Sequence, residues 1–338
     1  MKLLSLLLFT GAAWAQSTNA QLTGLIKDAS AAAIADARII ATNTGTNIES
    51  EASSNAEGLY RIPLLPPGTY RILVHKEGFR PVSQSGIVLN VNQTARLDFA
   101  MQVGDVKETL AVVAELALLQ TDDSALGGVI DNTKIITLPL NGRNPFSLAA
   151  LQPGVQPQGG FFAPRVFQEP TLQANFTVNG SASMTNEIMI DGTSNIVAGH
   201  GQLALTPSID GIQEFKLLTS TFSAEFGRTG GGVVNIVTKS GTNAFHGTLF
   251  EFLRNRNLDA NNFFNNRSNI SRQPFVFNQF GGTVGGPVQL PKVYDGKNRT
   301  FFFFGYDGTR VRRVWPENSI RRIPRPTKGC ISARNFGT

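Results

Sequence analysis

Residues 52–79 read ASSNAEGLYRIPLLPPGTYRILVHKEGF, and the punctuation of this stretch decides the fold. Asn55-Ala56-Glu57-Gly58 is one turn signal, and Pro66-Pro67-Gly68 is a second, rigid one. Asn and Gly accept turn conformations, while proline fixes its own φ. In TYRILV the side chains of Tyr70, Ile72 and Val74 share one face, because successive residues of a strand point to opposite sides. Working outward, LTGLIKD, ARIIATN, NIESEAS, LYRIP, GTYRILVHK, SGIVLNV and ARLDFAMQ recur about every ten residues. Short strands at this spacing predict a β-sandwich over residues 21–102. Its expected core is Leu22, Leu25, Ile40, Tyr60, Ile62, Tyr70, Ile72, Val74, Leu97 and Phe99.

Composition narrows the class. Charged residues make up 16% of the 338, against roughly 25% in an ordinary soluble domain. A hydrophobic share of 41% supports cores but is too dilute for a bundle of membrane helices. A disordered chain, a collagen and a long coiled coil are excluded as well. The net charge is +6, yet residues 296–338 alone carry ten basic and two acidic side chains, leaving −2 for the rest. That stretch has no zinc-finger or helix-turn-helix pattern, so no nucleic-acid partner is expected. Cys330 is the single cysteine, so no internal disulfide can form.

Lys2, the apolar run from Leu3 to Ala13, and Ala13-Trp14-Ala15 before Gln16 form an export signal over residues 1–15. Cleavage is expected between Ala15 and Gln16. After it no run of 18 apolar residues occurs, so any membrane insertion must use strands.

The skeleton Gly58, Tyr60, Leu65, Pro67, Gly68, Tyr70, Gly78, Phe79 resembles the carboxypeptidase regulatory-like domain. That resemblance implies a transthyretin-like sandwich, also grouped with carbohydrate-binding folds. It does not imply peptidase activity. His75, His200 and His246 are scattered and form no H-E-x-x-H pattern, so no catalytic residue, metal or cofactor is expected.

Residues 103–131 connect the sandwich to the central region of the chain. Within them Glu108, Thr109, Leu110, Ala111, Val112, Val113 and Ala114 resemble the TonB box of TonB-dependent outer-membrane receptors. Ala111 and Val113 depart from the usual valine and threonine. The chemistry required is an extended segment that can add itself to a partner's sheet edge, with main-chain hydrogen bonds supplying the affinity. The resemblance implies a periplasmic TonB-type energy-coupling protein as partner.

Residues 132–242 contain LPLNGRNPFSL, EIMIDG, GIQEFKLL and SAEFGRTGGGVVNIVTKSGTN, in that order. A short helix is expected after Pro145, and a buried strand over Val233 to Val237. Gly227 to Gly232 is not a phosphate loop, because Val233-Val234 stands where Lys and Ser/Thr would be needed. Asp191-Gly192, Ile212-Gln213-Glu214-Phe215-Lys216, and Gly230, Gly231, Gly232 leading to Asn235 are similar to the plug domain of TonB-dependent receptors. LPLNGRN and SAEFGRTGGG resemble the Oar-like branch of that family in particular.

Half of the 24 phenylalanines lie between Phe245 and Phe304. FHGTLFEFLRN, PFVFNQFGGTVGGPV and RTFFFFGYDGTRVRR are each long enough for a tilted transmembrane strand of about 9–11 residues. Phe302, Phe304 and Tyr306 share a face suited to an aromatic girdle. Residues 243–338 supply only three or four strands, whereas plugged transporter barrels have ~22. The fold class expected is therefore mainly β: a sandwich, an α+β plug, and the first strands of an incomplete outer-membrane β-barrel. A truncated chain of this kind is expected not to form a transport-competent pore, since open strands leave backbone groups unpaired in lipid.

The leading function is that of the N-terminal part of a TonB-dependent outer-membrane receptor taking up an unknown ligand, with outer-membrane lipid around the intact barrel and the N-terminal domain in the periplasm. The alternative is a secreted or surface module recognising carbohydrate through the sandwich, with Tyr60, Tyr70 and Phe79 stacking on sugars. Alternation favours Tyr60 and Tyr70 as core residues instead.

Overall fold

A computed structural model of the chain describes residues 18–104, 110–113, 125–158, 174–182, 184–197, 201–227 and 229–313. The export signal, with Ala13, Ala15 and Gln16, lies outside the described residues, as do Glu108, Thr109 and Ala114.

Two sheets face each other in the first region. Strands β1 (Ala20–Asp28), β4 (Leu59–Leu65), β7 (Thr94–Arg96) and β8 (Phe99–Met101) form one sheet in the order β4-β1-β7, with β8 also on β1. Strands β2 (Arg38–Asn43), β3 (Glu49–Ser53), β5 (Gly68–His75), β6 (Val82–Leu89) and β9 (Leu110–Val113) form the other, in the order β3-β2-β5-β6-β9. Strand alternation places Leu22, Ile26, Ile39, Ile62, Ile72 and Val74 in the shared core. Each fully buried aliphatic side chain contributes about 1.5–3 kcal/mol.

Two expected core residues differ. Leu25 and Ile40 are only half-buried, and Ile26, Ile39 and Ala41 take the inner positions. Leu22 and Leu25 are three apart, so a strand turns them to opposite faces. The last expected strand, ARLDFAMQ, is divided into β7 and β8. Between them Asp98 turns its Oδ1 to accept from the Leu25 amide at 2.9 Å, which satisfies the edge of β1 that lies between its pairings with β7 and β8. The Asn55 turn forms as expected: its Oδ1 accepts from the amides of Glu57 and Leu59, and Gly58 takes φ +75°.

The second region is a five-stranded sheet of β10 (Leu126–Asp131), β13 (Glu187–Ile190), β14 (Thr193–Ser194), β15 (Ile212–Ser220) and β16 (Val233–Thr238), in the order β10-β15-β16-β13-β14. Helix α1 (Asn132–Thr137) is capped by Asp131, whose side chain accepts from the Lys134 amide at 2.9 Å. Strands β11 (Val155–Pro157) and β12 (Phe176–Val178) pair antiparallel. The helix expected after Pro145 is a 3-10 helix, Pro145–Leu151, begun by Asn144, which accepts from the Phe146 amide. Phe146 and Phe215 meet edge-on in the core of this region, with centroids 6.3 Å apart.

Three long strands complete the described chain. They are β17 (His246–Asn255), β18 (Phe275–Pro287) and β21 (Phe301–Arg313), in the order β17-β18-β21 and without closure. Helix α2 (Phe263–Arg267) lies in the first connection, and strands β19 (Gln289–Leu290) and β20 (Tyr294–Asp295) pair in the second. Leu249 is 93% exposed, and Phe304 and Tyr306 are open too. Outward apolar side chains on long strands are what the lipid-facing side of a barrel presents. No helix among the described residues is long and apolar enough to cross a membrane, which says nothing of strands.

The chain divides into two compact units. One holds the sandwich, the five-stranded sheet and the parts of the long strands up to Leu249 and over Gly281–Asp307. The other holds Phe250–Phe280 and the described residues from Gly308 onward. In the smaller unit Arg254 pairs with Asp259 and lies over the Phe275 ring, 5.4 Å from its centroid.

Candidate functional site at the coupling segment and the plug motifs

The sequence singles out two groups of residues, and of the second Asn235, Glu214 and Lys216 meet the sandwich. Asp191 and Gly192 turn β13 into β14, pairing Ile190 with Thr193 across a two-residue loop. Both have positive φ, +48° and +79°, as a type I′ turn requires. Asp191 also pins the end of β16: its Oδ1 accepts from the Thr238 amide at 2.9 Å and its Oδ2 from the Thr238 hydroxyl at 2.7 Å. The motif is therefore a structural staple.

The three glycines differ in what they require. A side chain at Gly231 would overlap the Asn186 amide oxygen, and a Cβ at Gly232 would come within 2.8 Å of Val178 Cγ2. Gly230 has nothing within 4 Å, so close packing does not demand glycine there. The Gly232 amide donates to Asn186 Oδ1 at 2.9 Å, and Asn186 Nδ2 donates to the Phe176 carbonyl at 2.6 Å. These amides hold a strand entry.

Asn235 leads to the contact that sequence reading missed. It is 2% exposed, and its Nδ2 donates to Asn92 Oδ1 at 2.7 Å. Asn92 belongs to the turn between β6 and β7. Two residues of the IQEFK motif grip the same turn from β15. Glu214 Oε2 accepts from the Val91 amide at 2.7 Å, while Lys216 Nζ donates to the carbonyls of Val91 at 3.1 Å and Asn92 at 2.9 Å. Glu214 and Lys216 are each 5% exposed. Strand alternation puts Glu214 and Lys216 on one face of β15 with Phe215 on the other, among the core phenylalanines. A charged i, i+2 pair flanking an apolar residue was the only available signal, and nothing in it identifies a partner more than 120 residues away.

Burial raises the Glu214 carboxyl above its ordinary 4.5, outweighing the Val91 hydrogen bond and the Lys216 charge, which pull the other way; Asp131 adds to the rise. A carboxyl whose folded pKa is raised binds its proton more tightly when folded, so folding loses stability as pH rises from 4.5 to the raised value. Relative to Glu214→Gln, the wild-type chain is expected to lose about 1.4 kcal/mol for each tenfold weakening of the acid across that window. Thermal unfolding of both chains across that window and above it measures this. Parallel curves at every pH would show that the carboxylate is not desolvated.

Elsewhere in this region Arg143 of LPLNGRN forms a mostly buried ion pair with Asp210, fastening that segment to the start of β15. Of the coupling segment, Leu110, Ala111, Val112 and Val113 form β9, in parallel with β6 from Val82↔Leu110 to Ser85↔Val113. The sequence reading has this segment add to a partner's sheet edge, whereas here it pairs with the edge of the chain's own sandwich.

The sandwich tyrosines point inward. Tyr60 and Tyr70 are 4% and 2% exposed, and their hydroxyls donate to the carbonyls of Leu97 at 2.7 Å and Pro66 at 2.8 Å. Burial pushes both phenols up, far more strongly for Tyr60. Phe79 packs partly against the same core. Neither tyrosine offers a ring face to a sugar.

Comparison with known proteins covers the same regions. Residues 21–102 match the carboxypeptidase regulatory-like domain, and residues 237–329 match the outer membrane beta barrel domain. The TonB-dependent transporter Oar of Myxococcus xanthus is 31% identical over 336 aligned residues, covering 93% of this chain. Over that length the chain is similar to Oar, and its N-terminal part carries a carboxypeptidase regulatory-like domain. It spans 29% of the length of Oar. Among solved structures, a type II cohesin–X-dockerin complex of Acetivibrio cellulolyticus is 19% identical, over 25% of this chain and 59% of that one, with a TM-score of 0.21. Catechol 1,2-dioxygenase of Pseudomonas arvilla C-1 is 13% identical, over 31% and 58%, with a TM-score of 0.22. At those scores neither likeness bears on this chain's activity.

Proposed function

We propose that this Oar-like chain supplies the periplasmic sandwich, the plug and the first barrel strands of an outer-membrane receptor for energy-coupled uptake of an as yet unassigned ligand. The observation that carries the reading is the order of parts. A sandwich, a strand-forming segment, a plug-like sheet and long strands with open aromatic faces come one after another, and the likeness to Oar runs through them all. In this reading the plug obstructs the barrel lumen. Residues 108–114 pair by strand addition with a periplasmic TonB-type protein, which supplies the energy. The reading includes no covalent step and assigns no catalytic residue or cofactor.

A synthetic peptide of residues 106–116 is expected to bind the purified periplasmic domain of a TonB protein, and a scrambled peptide is not. Calorimetric titration measures this. Equal binding by the two peptides, or none by either, would remove the coupling role from this segment.

A further inference from the structure

We propose that the sandwich presents the coupling segment to its partner as a pre-formed edge strand, with β6 as a built docking site for β9. This rests on the coupling role given to residues 108–114 above, and it assigns the sandwich a task that the reading leaves open.

Several features make Val82–Ser85 a site for one short strand. β6 is saturated on its other side by β5, so its outer edge would otherwise offer a row of unpaired amides and carbonyls. Pro81 precedes Val82 and has no amide hydrogen to offer β9, and the residues before it pair instead with 102–104. At the other end Gly86 takes φ +80°, and the β5–β6 register shifts between Tyr70 and Ile72, which bends the strand after Ser85. The usable edge is thus four residues long, and Leu110–Val113 fills it.

The chain's route leads to the same place. The Arg80 amide donates to the Gln102 carbonyl at 2.8 Å, Phe79 bridges Val103, and the Gly104 amide donates to the Gly78 carbonyl at 3.2 Å. Gly104 therefore lies beside the start of β6, with five residues between it and Leu110. The coupling strand, when reached, runs parallel to β6.

Once docked, β9 is the last strand of its sheet, and no strand among the described residues pairs with its far edge. A partner strand added there would continue the sheet, meeting backbone groups whose ordering cost is already met. The occupant that fits is the exposed sheet edge of the periplasmic coupling protein.

The test uses the full chain in detergent with the purified TonB periplasmic domain as probe. Ser83→Cys with Ala111→Cys, in a Cys330→Ser background, locks two register partners of β6 and β9 together when oxidised. The oxidised chain is expected to bind the probe at least as tightly as the reduced chain, and about tenfold more tightly than the 106–116 peptide. Loss of binding on oxidation, while the peptide still binds, would overturn the proposal and show that the sandwich and the partner compete for one strand. Failure of both peptide and chain would instead fell the coupling role itself, and this proposal with it. Should the locked chain not fold, hydrogen exchange on the unmodified chain decides. Amides of Val82–Ser85 that stay protected with the probe bound support presentation, and their deprotection overturns it.

Discussion

Replacing Lys216 with methionine is expected to free the sandwich turn at Val91-Asn92 from the plug-like sheet and to cost about 3–5 kcal/mol. Two losses coincide. The carbonyls of Val91 and Asn92 lose the ammonium that satisfies them, and Glu214 remains as a buried carboxylate whose nearby cation has gone. Methionine keeps most of the side chain's bulk, so the effect reports the charge more than a cavity. Adding Glu214→Gln to Lys216→Met should return part of the loss, because the uncompensated charge is then removed. Denaturant unfolding of the four chains closes the cycle, and hydrogen exchange at Asn90–Gln93 shows where opening begins. If Lys216→Met leaves both the unfolding midpoint and that exchange unchanged, the clamp has no energetic role.

Gly24→Val is expected to be the most damaging single change in the sandwich. A Cβ at Gly24 would overlap the Leu97 carbonyl oxygen and come within 2.7 Å of Tyr60 Cε1. The Tyr60 hydroxyl donates to that same Leu97 carbonyl, so one substitution displaces both members of a buried hydrogen bond. It also lies where β1 pairs with β4, Gly24 facing Tyr60 in register. Overpacking costs typically about 1–3 kcal/mol, and losing the tyrosine's partner adds about 1 kcal/mol or more. Proteolysis and near-ultraviolet circular dichroism of the full chain should show the sandwich opening while the plug-like core around Phe146 and Phe215 persists. A Gly24→Val chain with unchanged protection of β1 would refute the close approach.

Much of this was legible beforehand, for a definite reason. Tyr60, Ile62, Tyr70, Ile72 and Val74 are core residues because they sit on period-two strands bounded by turn residues, and both features are local. Asp191-Gly192 reads in the sequence only as plug-like, although a two-residue loop with positive φ at both positions also favours that pair. Leu25 and Ile40 were misplaced because their strands carry apolar residues on both faces, and hydrophobicity alone does not choose the inner one. The glycine run was recognised as a unit, yet only Gly231 and Gly232 are sterically required, and what crowds them comes from Val178, Asn186 and Leu218, distant along the chain.

By itself, then, the sequence determined the mainly β class, the order of sandwich, connecting strand, plug-like sheet and long aromatic strands, and most of the sandwich core. Those properties arise from side-chain periodicity and turn chemistry within a few residues. Only the tertiary structure decided that Glu214, Lys216 and Asn235 close on Val91-Asn92, and that Leu110–Val113 docks on the edge of β6. Buried polar groups and open sheet edges must be satisfied by something, but which groups satisfy them depends on where the fold brings distant backbone together.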